Sequence, residues 1–166
     1  WNVLPYLESG QLRFVDAFTY RMEEPDRLYD RLNDWNTYLA SFCEGATTKV
    51  RDPSDIGELG NRIDDTLTML DMEDRGIVVV DSLTEFGSLV QPVQAYRFVK
   101  NVRAEVCKSR FVPVYASATV TGDGEGFPHD LGYMVDGIVE LRLNDDLVDG
   151  SLMKQIRARK MSGVLN

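Results

Sequence analysis

The chain has 166 residues, 43% of them apolar and 27% charged, a balance that suits one globular domain and argues against disorder, collagen or a coiled-coil rod. Twenty-seven carboxylates against 18 Lys and Arg give a net charge of −9, which opposes non-specific association with DNA or anionic lipid. No run approaches the roughly 18 consecutive apolar residues of a membrane-spanning helix, and no basic segment with a short apolar core marks a secretory signal. The expected compartment is therefore the cytoplasm, with no membrane partner. Because the chain starts at Trp1, it is expected to be a piece of a longer polypeptide.

The charged residues are lopsided: 13 Arg to 5 Lys, and 17 Asp to 10 Glu. Short carboxylates hold water and cations where long lysine stems would expose apolar surface, so this composition fits a protein working in concentrated salt. Cys43 and Cys107 fall at apolar positions of predicted helices, too few and too scattered for a disulfide or zinc framework.

In chain order, Leu4 and Leu7 belong to a short helix closed by Gly10, and Leu12–Ala17 is a β-type run. From Pro25 to Gly45 the period is helical, with Leu28, Leu32, Trp35, Leu39 and Phe42 on one face. After a loop at Asp52-Pro53, a second helix carries Ile56, Leu59, Ile63, Leu67 and Leu70, with Ser54 as its expected N-cap. Ile77–Val80 is continuously apolar and β-branched between Gly76 and Asp81, the pattern of a central parallel strand buried on both faces. Helical spacing returns from Pro92 to Ser109, and Phe111–Ala116 is a further strand, weakened by the missing donor of Pro113. Gly137–Leu143 and Leu152–Met161 form a hairpin around the acidic turn from Asn144 to Gly150. The order predicts one α/β domain over 1–166, a mostly parallel sheet with an antiparallel extension.

Asp81 is the first candidate for chemistry, because an acidic residue at the C-terminal end of a buried parallel strand sits where ligands bind in open α/β sheets. The competing reading is that such an Asp only caps the next helix. Glu85 is a second nearby carboxylate, equally well explained as a helix-start residue. The glycines of 122–126 (GDGEG) lack phosphate-loop spacing and read as a loop. His129 reads as loop packing, and Asp145, Asp146 and Asp149 as a solvated turn.

Three segments together resemble the KaiC-like branch of the RecA-superfamily ATPases. WNVLPYLESGQLRFVDAF, with Gly10, Leu12 and Asp16, is similar to the region after that family's second core strand; VVVDSLTEF resembles its Walker B strand; and DLGYMVDGIVELRL followed by KQIRARKMSG resembles its closing hairpin. The resemblance spans essentially the whole chain and implies a RecA-like three-layer fold lacking the first, P-loop strand. It implies that Asp81 is the Walker B carboxylate, orienting the water shell of a phosphate-bound Mg²⁺. It places Ser82 beside the phosphates, makes Ser117 or Thr119 a phosphate sensor, and directs Lys160 into a neighbouring subunit's nucleotide site. The implied function is regulatory or signal-transducing, with ATP and Mg²⁺ as cofactors, self-association into a dimer or ring, and a protein signalling partner.

The chain departs from the family in three places, one being the absence of the pair of glutamates that in the family follows the second strand and activates the attacking water. No G-x-x-x-x-G-K-[ST] occurs in the 166 residues, and Ser162 stands where the family has an interface Arg. The implied binding of ATP therefore needs a P-loop supplied from before Trp1, and turnover is expected to be weak or absent. The alternative is an inactive pseudo-ATPase acting as a protein-interaction module. Nucleic-acid binding is disfavoured by the charge.

If the acidic, Lys-poor surface is an adaptation to salt, thermal unfolding monitored by circular dichroism will move steeply upward between dilute and molar KCl. A flat response removes the saline reading.

Overall fold

The structure is a computed structural model that describes residues 2–17, 44–119, 129–148 and 151–162. The chain divides into two compact units, Trp1–Ala118 and Thr119–Asn166.

The first unit opens with helix α1 (Leu4–Glu8), which has Pro5 in its first turn and Leu7 buried. Gly10 follows at φ 72°, the left-handed conformation that glycine adopts without a Cβ penalty, so the expected helix stop is where the sequence placed it. Strand β1 (Phe14–Asp16) pairs in parallel with β2 (Thr47–Lys49), Phe14 opposite Thr47. The helix expected from Pro25, and Cys43 with it, lies outside the described residues.

Helix α2 (Ile56–Met69) buries Leu59 and Leu67, as its spacing predicted. Its cap is Asp55 rather than Ser54: Asp55 Oδ1 accepts from the N–H groups of Gly57 at 2.8 Å and Glu58 at 3.1 Å. Ser54 instead turns back, donating through its N–H and hydroxyl to Asp52 Oδ1 at 2.9 and 2.6 Å. Those two bonds, the hydroxyl's first, hold the Asp52 carboxyl below its ordinary value.

Gly76, at φ 82°, leads into β3 (Val78–Val80); a Cβ there would stand 2.5 Å from Met72 Cε. Helices α3 (Leu83–Leu89) and α4 (Pro92–Val102) follow, and the chain continues from α4 as a π-helical stretch over Arg103–Ser109. Phe86 and Phe98 join α3 to α4, ring centroids 4.6 Å apart and planes tilted by 47°. Strand β4 (Val114–Ala116) pairs in parallel with β3, in the register Val78–Val114, Val79–Tyr115 and Val80–Ala116. Pro113 costs the ladder nothing, because it lies just before β4 and contributes only its carbonyl, which accepts from Val78 N–H at 3.0 Å. Below the pair lies a core of Leu67, Val106 and Val112, packed with Ile63, Met72, Val78, Val102 and Val114.

The expected RecA-like architecture is not what forms. The described residues make three separate two-stranded sheets, two parallel and one antiparallel, in place of one mostly parallel sheet with a hairpin extension. Each parallel strand is only three residues long, and among the described residues no ladder joins β1–β2 to β3–β4. Nor is the Ile77–Val80 run buried on both faces. Val78 and Val80 turn partly inward, while Val79 is 66% exposed and its cross-strand partner Tyr115 62% exposed. An all-apolar strand states which faces it would prefer to cover; it does not supply the neighbours that cover them.

The second unit has a 3₁₀ turn (His129–Tyr133) and a hairpin of β5 (Gly137–Val148) and β6 (Ser151–Met161). The ladder runs from Gly137–Met161 to Val148–Ser151, with irregularities between Ile138 and Val139 and between Asn144 and Leu147. Pairing thus continues through much of the segment expected to be an acidic turn. Arg159 donates to Glu140 at 2.7 Å across the strands. Among the described residues, no helix is long and apolar enough to cross a membrane.

The two candidate caps of α2 predict different mutational costs. Asp55→Ala removes the acceptor of two orphan N–H groups and should lower unfolding free energy by about 1 kcal/mol in urea denaturation. Ser54→Ala should cost clearly less; equal costs would show that the cap is shared.

Candidate functional site

The parallel register of β3 and β4 continues one step beyond the strands and sets Asp81 beside Ser117. Ser117 N–H donates to Val80 O at 3.0 Å, and Ser117 O accepts from Leu83 N–H at 2.9 Å, so the two post-strand turns are pinned together by backbone bonds. On that frame Ser117 Oγ donates to Asp81 Oδ1 at 2.5 Å. This is the short end of the range for a hydroxyl on an ionised carboxylate. Asp81 is exposed, and among the described residues Oδ2 accepts no hydrogen bond. The Asp81–Ser82 peptide bond is cis.

Helix α3 begins immediately afterwards, and its cap is Ser82, whose Oγ accepts from Glu85 N–H at 3.2 Å. This settles the competing reading of Asp81. Helix capping is done by the serine, and the carboxylate is turned to the other strand instead. Of the residues singled out from sequence, Asp81, Ser82 and Ser117 are thereby brought together at the C-terminal end of one parallel pair. Ser82 is half-buried, with one lone pair committed to the helix and its hydroxyl proton available to a ligand. Glu85 sits in the first turn of α3 and is exposed.

Thr119 and Lys160 belong to the second unit. Thr119 is exposed. Lys160 is half-buried, and its Nζ donates to Val135 O at 2.6 Å and Gly132 O at 3.1 Å, fastening the turn that leads into β5. Two of the three ammonium donors are thus spent inside the hairpin unit. Ser162 N–H donates to Asp136 O at 2.6 Å, closing the far side of the same turn. The segment 122–126 lies outside the described residues, as does Asp149; of His129, Asp145 and Asp146 only the backbone is described.

The donor set at Asp81 suits a hard, oxygen-seeking cation held loosely. One carboxylate oxygen is open among the described residues, and the Ser117 hydroxyl holds the other. Among the described residues no group of three or more His, Cys, Asp or Glu could hold a metal alone. A cation at Asp81 would therefore keep most of its shell as water or as oxygens of a ligand, which is the habit of Mg²⁺.

The pairing of Asp81 with Ser117 was missed from sequence, although both residues were singled out. The signal was a count: VVV and VYA are equal runs, each followed at once by a polar residue, so aligning the runs aligns Asp81 with Ser117. Gly132 and Val135, the carbonyl partners of Lys160, had no signal, because any backbone can offer a carbonyl.

No protein-family model matches the chain, and no curated protein is significantly similar to it.

Replacing Lys160 by Met keeps the stem and removes the donors. Hydrogen exchange of the amides of 131–136 should then accelerate severalfold while the β3–β4 amides keep their protection. Unchanged exchange at 131–136 would mean that the two carbonyl bonds do not hold the turn.

Proposed function

We propose that the chain is a nucleotide-binding domain of regulatory type, in which Asp81 holds the Mg²⁺ of bound ATP through a water molecule. The observation that carries this reading is the release of Asp81 from helix capping. Its carboxylate stands open at the C-terminal end of two parallel strands, steadied by Ser117, where ligands gather in parallel α/β arrangements. The resemblance of VVVDSLTEF to a Walker B strand supports the same role. When bound, Mg²⁺ would neutralise phosphate charge; Asp81 would orient its water shell, and the Ser82 hydroxyl would donate to a phosphate oxygen.

The phosphates themselves need a cradle of backbone amides and a lysine, and no G-x-x-x-x-G-K-[ST] among these 166 residues supplies one. The reading therefore requires that cradle from chain outside them. Lys160 spends two donors on the Gly132 and Val135 carbonyls, and Ser162 stands where the resemblance implies an interface Arg, so the domain is read as a binder and sensor of ATP, with slow hydrolysis or none.

A second reading, a protein-interaction module without nucleotide, is favoured by one specific feature. Val139, Leu141 and Ile156 share one face of the β5–β6 hairpin and are 64%, 78% and 73% exposed, an apolar surface that normally marks a contact.

Isothermal titration of ATP into the full natural polypeptide separates the two. The nucleotide reading expects Mg²⁺-dependent binding that Asp81→Asn weakens at least about tenfold, with the far-ultraviolet circular dichroism unchanged. Equal affinity in that variant sinks the role of Asp81, and no binding to the unmutated protein leaves the interaction module.

A further inference from the structure

The two faces of the β5–β6 hairpin are unlike. One carries the pairs Ile138–Lys160 and Glu140–Arg157, and it is occupied within the second unit. Lys160 Nζ holds the carbonyls of Gly132 and Val135 at 3.1 and 2.6 Å, and Arg159 bonds Glu140 at 2.7 Å. A Cβ at Gly132 would stand 3.4 Å from Ile138 Cδ1, so the 3₁₀ turn is seated against this polar face. The other face carries Gly137–Met161, Val139–Ala158 and Leu141–Ile156, and the ladder continues it through Leu143–Lys154 and Leu147–Leu152. Lys154 is the one charged residue in that row. Val139, Leu141, Ile156 and Met161 on it are between 63% and 78% exposed. The unit thus covers the polar side of its hairpin and bares the apolar side. Two strands alone are marginal in water, and an apolar face of this extent calls for a second layer.

We infer that this layer is the hairpin of a second copy, packed face to face and antiparallel across a two-fold axis. The inference rests on the reading of the face as a contact, is independent of Asp81, and adds the partner and its orientation. Charge selects both. The tip of the hairpin, 144–153, has three carboxylates and no Lys or Arg, whereas the open end, 137–143 with 154–161, has five Lys or Arg and one carboxylate. A two-fold axis along the strands would stack tip on tip, like charge on like. An axis across the strands sets the acidic tip of each copy over the basic open end of the other, with the Leu141–Ile156 row near the axis. The hairpin is therefore complementary to itself in one orientation. An anionic lipid surface, the other taker of apolar and basic groups, is repelled by the acidic tip and by the net charge of −9.

Sedimentation equilibrium of the full natural polypeptide should show reversible association. Leu141→Arg, which places two like charges near the axis, should weaken it at least about tenfold. Gln155→Glu, on the opposite face, should leave it unchanged, with the far-ultraviolet circular dichroism of both variants preserved. Orientation is read by electron–electron double resonance from a spin label at Ser162→Cys, with Cys43→Ser and Cys107→Ser in the same chain. Antiparallel packing puts the two labels roughly 35 Å apart, the length of the ladder, whereas parallel packing brings them near the ~10 Å spacing of stacked sheets. A monomer at every concentration, association that Leu141→Arg leaves intact, or the short separation overturns the inference. Binding of a hydrophobic dye separates this from failure of the contact reading. A monomer that binds the dye, and loses it in Leu141→Arg, has an open face meant for a different partner, and only the second copy is wrong. A monomer that binds none sinks the contact reading as well.

Discussion

The parallel register between Val78–Val80 and Val114–Ala116 is the constraint on which the site depends. Those six residues are joined by a short ladder, yet they decide which polar side chains meet where the strands end. The register is itself fixed by burial. Val78 and Val114 turn toward Leu67, Val106 and Val112, while Val79 and Tyr115 face outward. A slip of one residue would turn the inward set outward and break the core contacts. It would also remove Ser117 from Asp81. Packing beneath the strands and chemistry at their ends are therefore one decision.

The division of labour between Asp81 and Ser82 follows from the same frame. A helix starting within two residues of a strand leaves its first N–H groups in need of an acceptor, and either an Asp or a Ser serves. Had Asp81 taken that task, its charge would have been spent on the backbone of α3. Ser82 takes it at the cost of a lone pair only, and the charged group stays available. The order Asp-Ser, rather than Ser-Asp, is what puts the capper next to the helix and the carboxylate next to the neighbouring strand.

Much of this was legible locally and little of it globally. The end of α1 at Gly10, the apolar stripe of α2, the helix from Pro92 and the existence of a C-terminal hairpin all follow from period and punctuation, which depend on residues close in sequence. Asp81, Ser82 and Ser117 were recognisable as polar residues closing apolar runs. Ser54 was mistaken for the cap of α2 because Ser and Asp at adjacent positions are both good caps, and only the side-chain geometry shows that Ser54 is occupied by Asp52. The sheet was misjudged for a deeper reason. Strand pairing joins residues tens of positions apart, and an apolar run such as Ile77–Val80 carries no mark of how many neighbours it will find. Three two-stranded sheets and one continuous sheet are written in nearly the same local code.

The value of the Asp81–Ser117 bond is orientation more than stability. Both residues are exposed, so water competes for each partner and the net gain over solvation is small. The fold beneath is secured by buried valines and leucines that this bond does not touch. What water cannot reproduce is direction: a solvated carboxylate presents either oxygen to an arriving cation, whereas one tied to a backbone-fixed hydroxyl presents the same oxygen each time. On the proposed reading, in which a ligand brings most of the cation's shell, that constancy is an advantage, because the protein's single contribution would have to be in place before the ligand's oxygens arrive.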